Sequence, residues 1–214
     1  MSKQLLCLFL KNPNLEAAKS RLALGIGKQK AYEIYILMVN YLINLTSSFE
    51  DVDVKFYVSK SSRDLPWNIE TSLQIGNDLG EKMSNMFEKE LKVYDKVCLI
   101  GTDCIYEDLS DFRRAFESLD NNRVVLQAAA DGGYTLVGMS KHYPKLFAGM
   151  PYSQSNLFQK SLEYLERAEI PYFSLPVRLD IDHEEDLLLW LEARKDDSQV
   201  SHFHSKVTNA LIQY

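Results

Sequence analysis

Lys96-Val97-Cys98-Leu99-Ile100-Gly101-Thr102-Asp103-Cys104-Ile105-Tyr106 (KVCLIGTDCIY) is the stretch whose reading decides the fold. Val97 to Ile100 is an unbroken apolar run closed by Gly101. Such a run marks a strand buried on both faces, as in a parallel sheet covered by helices. Open α/β sheets bind their ligands just beyond the carboxyl ends of the strands, and Asp103 stands there. Asp103 is therefore a candidate metal ligand. The competing reading is an aspartate that only turns the chain out of the strand.

Composition narrows the class. A chain of 214 residues, 46% hydrophobic and 25% charged, is of the size and balance of one globular α/β domain. A net charge of −6 argues against a general nucleic-acid surface, which needs a basic stripe. No apolar run approaches the roughly 20 residues of a membrane span. The apolar run near the start ends at Lys11 with no small-residue cleavage site, and reads as a buried first strand rather than a signal peptide. Cys7, Cys98 and Cys104 have no paired spacing. They fit the reduced thiols of a cytoplasmic protein better than a disulfide frame or a zinc site.

Leu5 to Leu10 reads as the first strand, and the loop after it gathers Lys11, Lys19 and Arg21. Phosphates are held by such cations, lysine as a point charge and arginine as a fork; a solvated basic loop is the plainer alternative. Gly25-Ile26-Gly27-Lys28 looks like part of a phosphate loop but lacks its spacing and the Ser or Thr after the lysine. Ala31 to Leu45 reads as a helix, Val52 to Val58 as an alternating strand, and Ser61 to Asn68 as a polar turn. Gln74 to Met83 leads into a helix ending near Leu91, with Asp78 and Glu81 at capping-box spacing. The flanking Gly76 and Gly80 also suit a backbone held close to an anion at a helix N-terminus.

Ser110 to Leu119 reads as a helix and Val124 to Ala129 as a strand. Asp131-Gly132 before the run Thr135 to Met139 is a hairpin signal. Asn156 to Ala168 is helical, and Tyr172 to Leu175 is a short strand closed by Pro176. Asp182 and Glu185 have capping-box spacing at the head of a helix running to about Arg194. The expected division is a domain over residues 1–195 and a C-terminal extension, 196–214, carrying a short helix from Ser205 to Ile212. His142, His183, His202 and His204 are scattered and no serine or cysteine sits in a nucleophile elbow, which argues against triad hydrolysis. Cations in the first loop and carboxylates at Asp103 and Asp182 are complementary instead. A hard ion such as Mg²⁺ is held by one or two carboxylates plus substrate phosphates. The implied substrate is a nucleotide or a nucleotide sugar.

Six motifs occur in order: FLKNP…KSRL (Phe9 to Leu22), QIGNDLGEKM (Gln74 to Met83), IGTDC (Ile100 to Cys104), DGGYTLVG (Asp131 to Gly138), LFAGMPYS (Leu146 to Ser153) and DIDHEEDL (Asp180 to Leu187). With them the chain resembles, over residues 4 to 192, a bacterial family of uncharacterised, glycosyltransferase-like proteins in the nucleotide-diphospho-sugar transferase superfamily. The resemblance implies one Rossmann-like three-layer α/β domain of GT-A type, with a mixed, mostly parallel central sheet. It implies a cytoplasmic enzyme that uses Mg²⁺ or Mn²⁺ to bind a nucleotide-diphospho-sugar and move the glycosyl group to an acceptor. More distantly the chain resembles nucleotidyltransferases, which join a nucleoside triphosphate to a phosphorylated metabolite and release pyrophosphate. A non-catalytic nucleotide-binding protein of the same fold is a third reading.

Carried over by position, the resemblance puts Lys11, Lys19 and Arg21 at the nucleotide phosphates and Gly76, Asp78 and Gly80 at the border of the nucleotide pocket. Asp103 and Asp182 match the metal carboxylates. Asp103 and Asp131 match catalytic positions, and Gly132, Gly133 and Tyr134 line the sugar or acceptor side. Glu16 stands where the family carries glycine, Ser20 where it carries threonine, and Ile105 where proline commonly follows the Asp-Cys pair.

Overall fold

The long apolar runs form strands because each has two faces to bury. In the computed structural model, which describes residues 2–152 and 154–212, seven strands make one sheet: β1 (Gln4–Leu10), β2 (Asp53–Val58), β3 (Thr71–Leu73), β4 (Lys96–Ile100), β5 (Val124–Ala129), β6 (Tyr134–Met139) and β7 (Tyr172–Arg178). Their order is β3-β2-β1-β4-β6-β5-β7. Among the described strands only β6 runs against the others, antiparallel to both β4 and β5. Seven helices follow the chain: α1 (Leu22–Ile26), α2 (Lys28–Thr46), α3 (Leu79–Glu90), α4 (Ser110–Ser118), α5 (Leu157–Arg167), α6 (Glu184–Ala193) and α7 (Ser201–Ile212).

One face of the sheet packs Leu5, Cys7, Val97, Leu99 and Leu126 against Met83, Met86 and Phe87 of α3 and Leu165 of α5. The other packs Leu6, Leu8, Cys98, Ile100 and Val125 against Leu42 of α2 and Phe112, Ala115 and Phe116 of α4. This is the expected three-layer, Rossmann-like arrangement around a mixed and mostly parallel sheet. No helix among the described residues is long and apolar enough to cross a membrane.

The structure departs from the sequence reading in three places. β3 is three residues long, too short to carry a periodic signal, and pairs with β2 alone. β7 runs through Pro176 instead of stopping before it. It is an edge strand, paired only with β5, and a proline that turns its missing N–H outward breaks no ladder bond there. The last helix starts at Ser201, and Val200, Phe203, Val207 and Ala210 are buried in one cluster with Ile34 and Met38 of α2 and Leu187 and Trp190 of α6.

A buried carboxylate closes the far end of α3. Glu90 accepts hydrogen bonds from Lys55 Nζ at 2.7 Å and from the Tyr57 hydroxyl. Burial pushes its carboxyl up, but those two bonds outweigh burial and hold it below its ordinary value of 4.5. A depressed folded-state value stabilises the fold above the unfolded value and ceases to do so as pH falls through the folded one. Glu90→Ala should therefore cost about 2–3 kcal/mol at neutral pH, discounted because Lys55 is half-exposed. Thermal melts should show a drop of roughly 5–10 °C, narrowing as the pH is lowered past 4.5.

Candidate active site

A cavity of about 580 Å³ opens at the carboxyl ends of β1, β4 and β5 and the amino end of the antiparallel β6, within the range of small-ligand sites. Its floor is built by two segments that follow β4 and β7. Cys104 and Asp180 form an antiparallel bridge, and the Ile181 N–H donates to the Asp103 carbonyl at 2.7 Å. This backbone zipper brings Asp103, Asp180 and Asp182 to one wall. Asp131, at the turn from β5 to β6, lines the same cavity.

The loop between β1 and α1 supplies the cations. Lys19 is buried, with a φ of 55°. Its Nζ lies 2.5 Å from Asp103 Oδ1 and donates to the Ile181 carbonyl. The Arg21 guanidinium donates to Asp182 Oδ2 at 2.6 Å. The loop itself is pinned from below. The Tyr35 hydroxyl accepts from the Lys11 N–H at 2.8 Å and donates to the Lys11 carbonyl. The buried Asn12 amide donates to the carbonyls of Ser61 and Arg63. Asn12 stands inside the first motif, FLKNP, and Tyr35 in none of the six, and only their long-range partners reveal the role.

Of the sequence-derived site residues, Lys11, Lys19, Arg21, Asp103, Asp131, Gly133, Tyr134 and Asp182 line this cavity. Gly76, Asp78, Gly80 and Gly132 serve the backbone beside it. Asp78 caps α3, its Oδ1 accepting from the Glu81 N–H at 2.8 Å. Gly80 admits the Phe147 carbonyl and the Tyr152 ring, which a Cβ would meet at 2.6 and 2.7 Å. Gly132 has a φ of 89° and faces the Ser155 carbonyl, 1.9 Å from where a Cβ would lie. Gly132→Ala should destabilise the fold by about 3 kcal/mol or more, from strain and clash together, visible as a fall in melting temperature. Ser153, the last residue of the fifth motif, lies outside the described residues.

Asp182 is not the cap of α6. The helix begins one residue later, capped by His183, and Asp186 accepts from the N–H groups of both Asp182 and His183. The Asp182 carboxylate is thereby left for Arg21. Gly133 donates its N–H to Asp131 Oδ1 at 2.8 Å, which fixes that carboxylate across the tight turn. The Tyr134 hydroxyl bonds Ser161 Oγ, and burial pushes it up to about 12, so it stays protonated at neutral pH.

Asp180 is the site residue that sequence reasoning passed over. Its carboxyl is pushed up to about 6, first by burial and then by the negative charges of Asp131, Asp103 and Asp186. The signal in the sequence was its place in DIDHEEDL, but the proximity to Asp103 arises only through the bridge to Cys104. The charge balance follows. Four cations, Lys11, Lys19, Arg21 and Lys82, line the cavity. Against them stand five carboxylates, Glu16, Asp103, Asp131, Asp180 and Asp182. Two cations are already matched to Asp103 and Asp182. A diphosphate entering this space needs additional positive charge, and clustered oxygen donors are what a hard divalent cation prefers. Among the described residues no three His, Cys, Asp or Glu side chains gather as a complete metal-binding group. The donor set fits a cation shared between protein carboxylates and substrate phosphates.

This architecture is the nucleotide-diphospho-sugar transferase fold. Over 99% of its length the chain superposes on 97% of a Desulfovibrio desulfuricans G20 protein provisionally named a nucleotide-diphospho-sugar transferase, with a TM-score of 0.90 and 26% identity. A cytidylyltransferase from Leptospira borgpetersenii serovar Hardjo-bovis shares the fold at a TM-score of 0.58 and 15% identity, over 100% of this chain and 97% of that one. A Mycobacterium tuberculosis H37Rv protein solved in complex with manganese does so at 0.55 and 12%, over 89% of this chain and 100% of that one. No curated protein matches the sequence. The chain belongs to the family described as "Uncharacterized protein conserved in bacteria (DUF2064)", whose model matches residues 48–154.

Proposed function

We propose that the chain is a metal-dependent transferase that binds a nucleotide-diphospho-sugar and moves its glycosyl group to an acceptor. The observation that carries this reading is the interlock of cations from one loop with carboxylates from two strand ends, Lys19 with Asp103 and Arg21 with Asp182. Ligand binding gives each group a new partner. The diphosphate takes Lys19, Arg21 and Lys11, while Asp103 and Asp182 would hold Mg²⁺ or Mn²⁺ together with the substrate phosphates. The metal, when bound, neutralises charge on the diphosphate as it departs. Lys19 and Arg21 stabilise the same developing charge. Asp131, held by the Gly133 N–H, receives the proton of the acceptor hydroxyl as its oxygen bonds the sugar carbon and the nucleoside diphosphate leaves. The likeness to the D. desulfuricans protein supports the nucleotide-sugar reading. The three cysteines are free and buried, which supports work in a reducing compartment, the cytoplasm.

Product analysis tests the assignment. With a nucleotide-sugar donor, divalent metal and an acceptor panel, the expected product is the nucleoside diphosphate. Pyrophosphate released from a nucleoside triphosphate and a sugar phosphate would move the protein to the nucleotidyltransferases. Turnover of neither, with nucleotide still bound, would mark a non-catalytic binding protein.

A further inference from the structure

The cavity has a second end, away from the carboxylate wall, where Leu10 ends β1 and Ser59 and Gln74 follow β2 and β3. It lies about two strand spacings of ~4.8 Å from the β4 end that carries Asp103. With the diphosphate held between the loop cations and the carboxylates, this end receives the nucleobase.

The backbone N–H groups of Ser59, Gln74 and Glu16, and the side-chain donors of Ser59 and Gln74, are spent within the protein. The Ser59 N–H donates to the Leu10 carbonyl at 3.1 Å and the Gln74 N–H to the Val58 carbonyl at 2.9 Å. The Glu16 N–H donates to the Asn12 carbonyl at 3.0 Å. The Ser59 hydroxyl donates to Glu16 Oε1. The Gln74 side-chain amide donates to the carbonyls of Leu10 and Tyr57, at 3.1 and 2.8 Å. Those two carbonyls fix which way the amide points, because only its nitrogen can donate to them. Gln74 Oε1 and Glu16 Oε2 remain, and neither has a hydrogen-bond partner among the described residues. Both are acceptors, and one belongs to a carboxylate.

We infer that this end of the cavity reads guanine, with Glu16 as the specificity-determining residue. Guanine offers two adjacent donors, N1–H and the N2 amino group, to a pair of acceptors. Uracil offers one N–H between two carbonyls, and cytosine and adenine set a ring nitrogen lone pair beside their amino group. Each of these would turn a lone pair toward the carboxylate, an arrangement that rejects the wrong base. The inference rests on the nucleotide-binding reading above and explains the departure at Glu16: the side chain faces Ser59 at the base end, where a carboxylate selects a base.

Calorimetric titration of the wild-type protein with GDP, IDP, UDP, CDP and ADP, at fixed Mg²⁺, tests it. IDP differs from GDP only in lacking the N2 amino group. GDP should bind roughly 10- to 100-fold more tightly than IDP, and than the other three, because the analogue covers an acceptor and leaves it unpaired. Glu16→Gln should weaken GDP toward the IDP value while changing IDP little. Equal GDP and IDP affinities, or tighter binding of UDP or CDP, would overturn the guanine assignment and leave the transferase reading standing. Binding of none of the five would overturn both. The wild-type GDP and IDP comparison decides the matter even if the variant fails to fold.

Discussion

Asp103→Asn should reduce metal-dependent nucleotide affinity by at least about 100-fold, the order seen when a metal-site group is lost, while leaving the melting temperature of the free protein nearly unchanged. Asparagine keeps the shape of the side chain and one acceptor oxygen for Lys19. The lysine also retains the Ile181 carbonyl, so the buried ammonium is not stranded. The backbone bond from the Ile181 N–H to the residue 103 carbonyl does not depend on the side chain. What disappears is the anionic oxygen, in a cavity whose charge balance calls for a cation. Titration of nucleotide with and without Mg²⁺ reads the effect directly. Equal metal dependence in wild type and variant would sink the assignment of Asp103.

Lys19→Ala should act on both stability and binding. The side chain is 1% exposed and joins the β1–α1 loop to the segment after β4 through Asp103 and to the β7–α6 segment through the Ile181 carbonyl. Losing it leaves that carbonyl without its donor, at a cost of about 1–3 kcal/mol, and the melting temperature should fall by several degrees. Nucleotide affinity should fall roughly 10- to 100-fold, the equivalent of one charge-assisted hydrogen bond to phosphate. Lys19→Gly offers a control. The φ of 55° at this position suits glycine, so this variant should recover part of the stability but none of the affinity. Recovery of both would mean that Lys19 serves the loop and not the phosphate.

The sequence revealed the strands that are buried on both faces, because an unbroken apolar run such as Val97 to Ile100 needs no tertiary knowledge to interpret. It also showed the cation loop and Asp103, since both stand directly after such runs. It did not show β3, whose three residues are ordered by pairing with β2. Nor did it show that β7 passes through Pro176, which depends on the strand lying at the sheet edge. The hairpin reading of Asp131-Gly132 and the cap reading of Asp78 describe the structure well. Asp131 nonetheless lines the cavity, so a turn residue and a site residue are the same residue. At α6 local spacing pointed to Asp182 as the cap, and a carboxylate one turn further on, Asp186, took the backbone N–H groups instead. Asp180 and Asn12 were illegible for one reason. Their roles come from partners distant in sequence, the bridge to Cys104 and the carbonyls of Ser61 and Arg63. Glu16 looked out of place in a phosphate loop. Its bond to Ser59 carries it toward the ends of β1 and β2 instead.

Thermal melting against nucleoside diphosphates, triphosphates and nucleotide sugars, each with Mg²⁺ or Mn²⁺ and again with a chelator, tests the central claim most directly. A ligand at about 100 times its dissociation constant stabilises by roughly 2.7 kcal/mol, a shift of about 5–10 °C for a chain of this size. The account predicts such a shift for a nucleotide sugar when metal is present, and its loss when the metal is removed. A shift of equal size in the chelator, or none with any nucleotide, would contradict it.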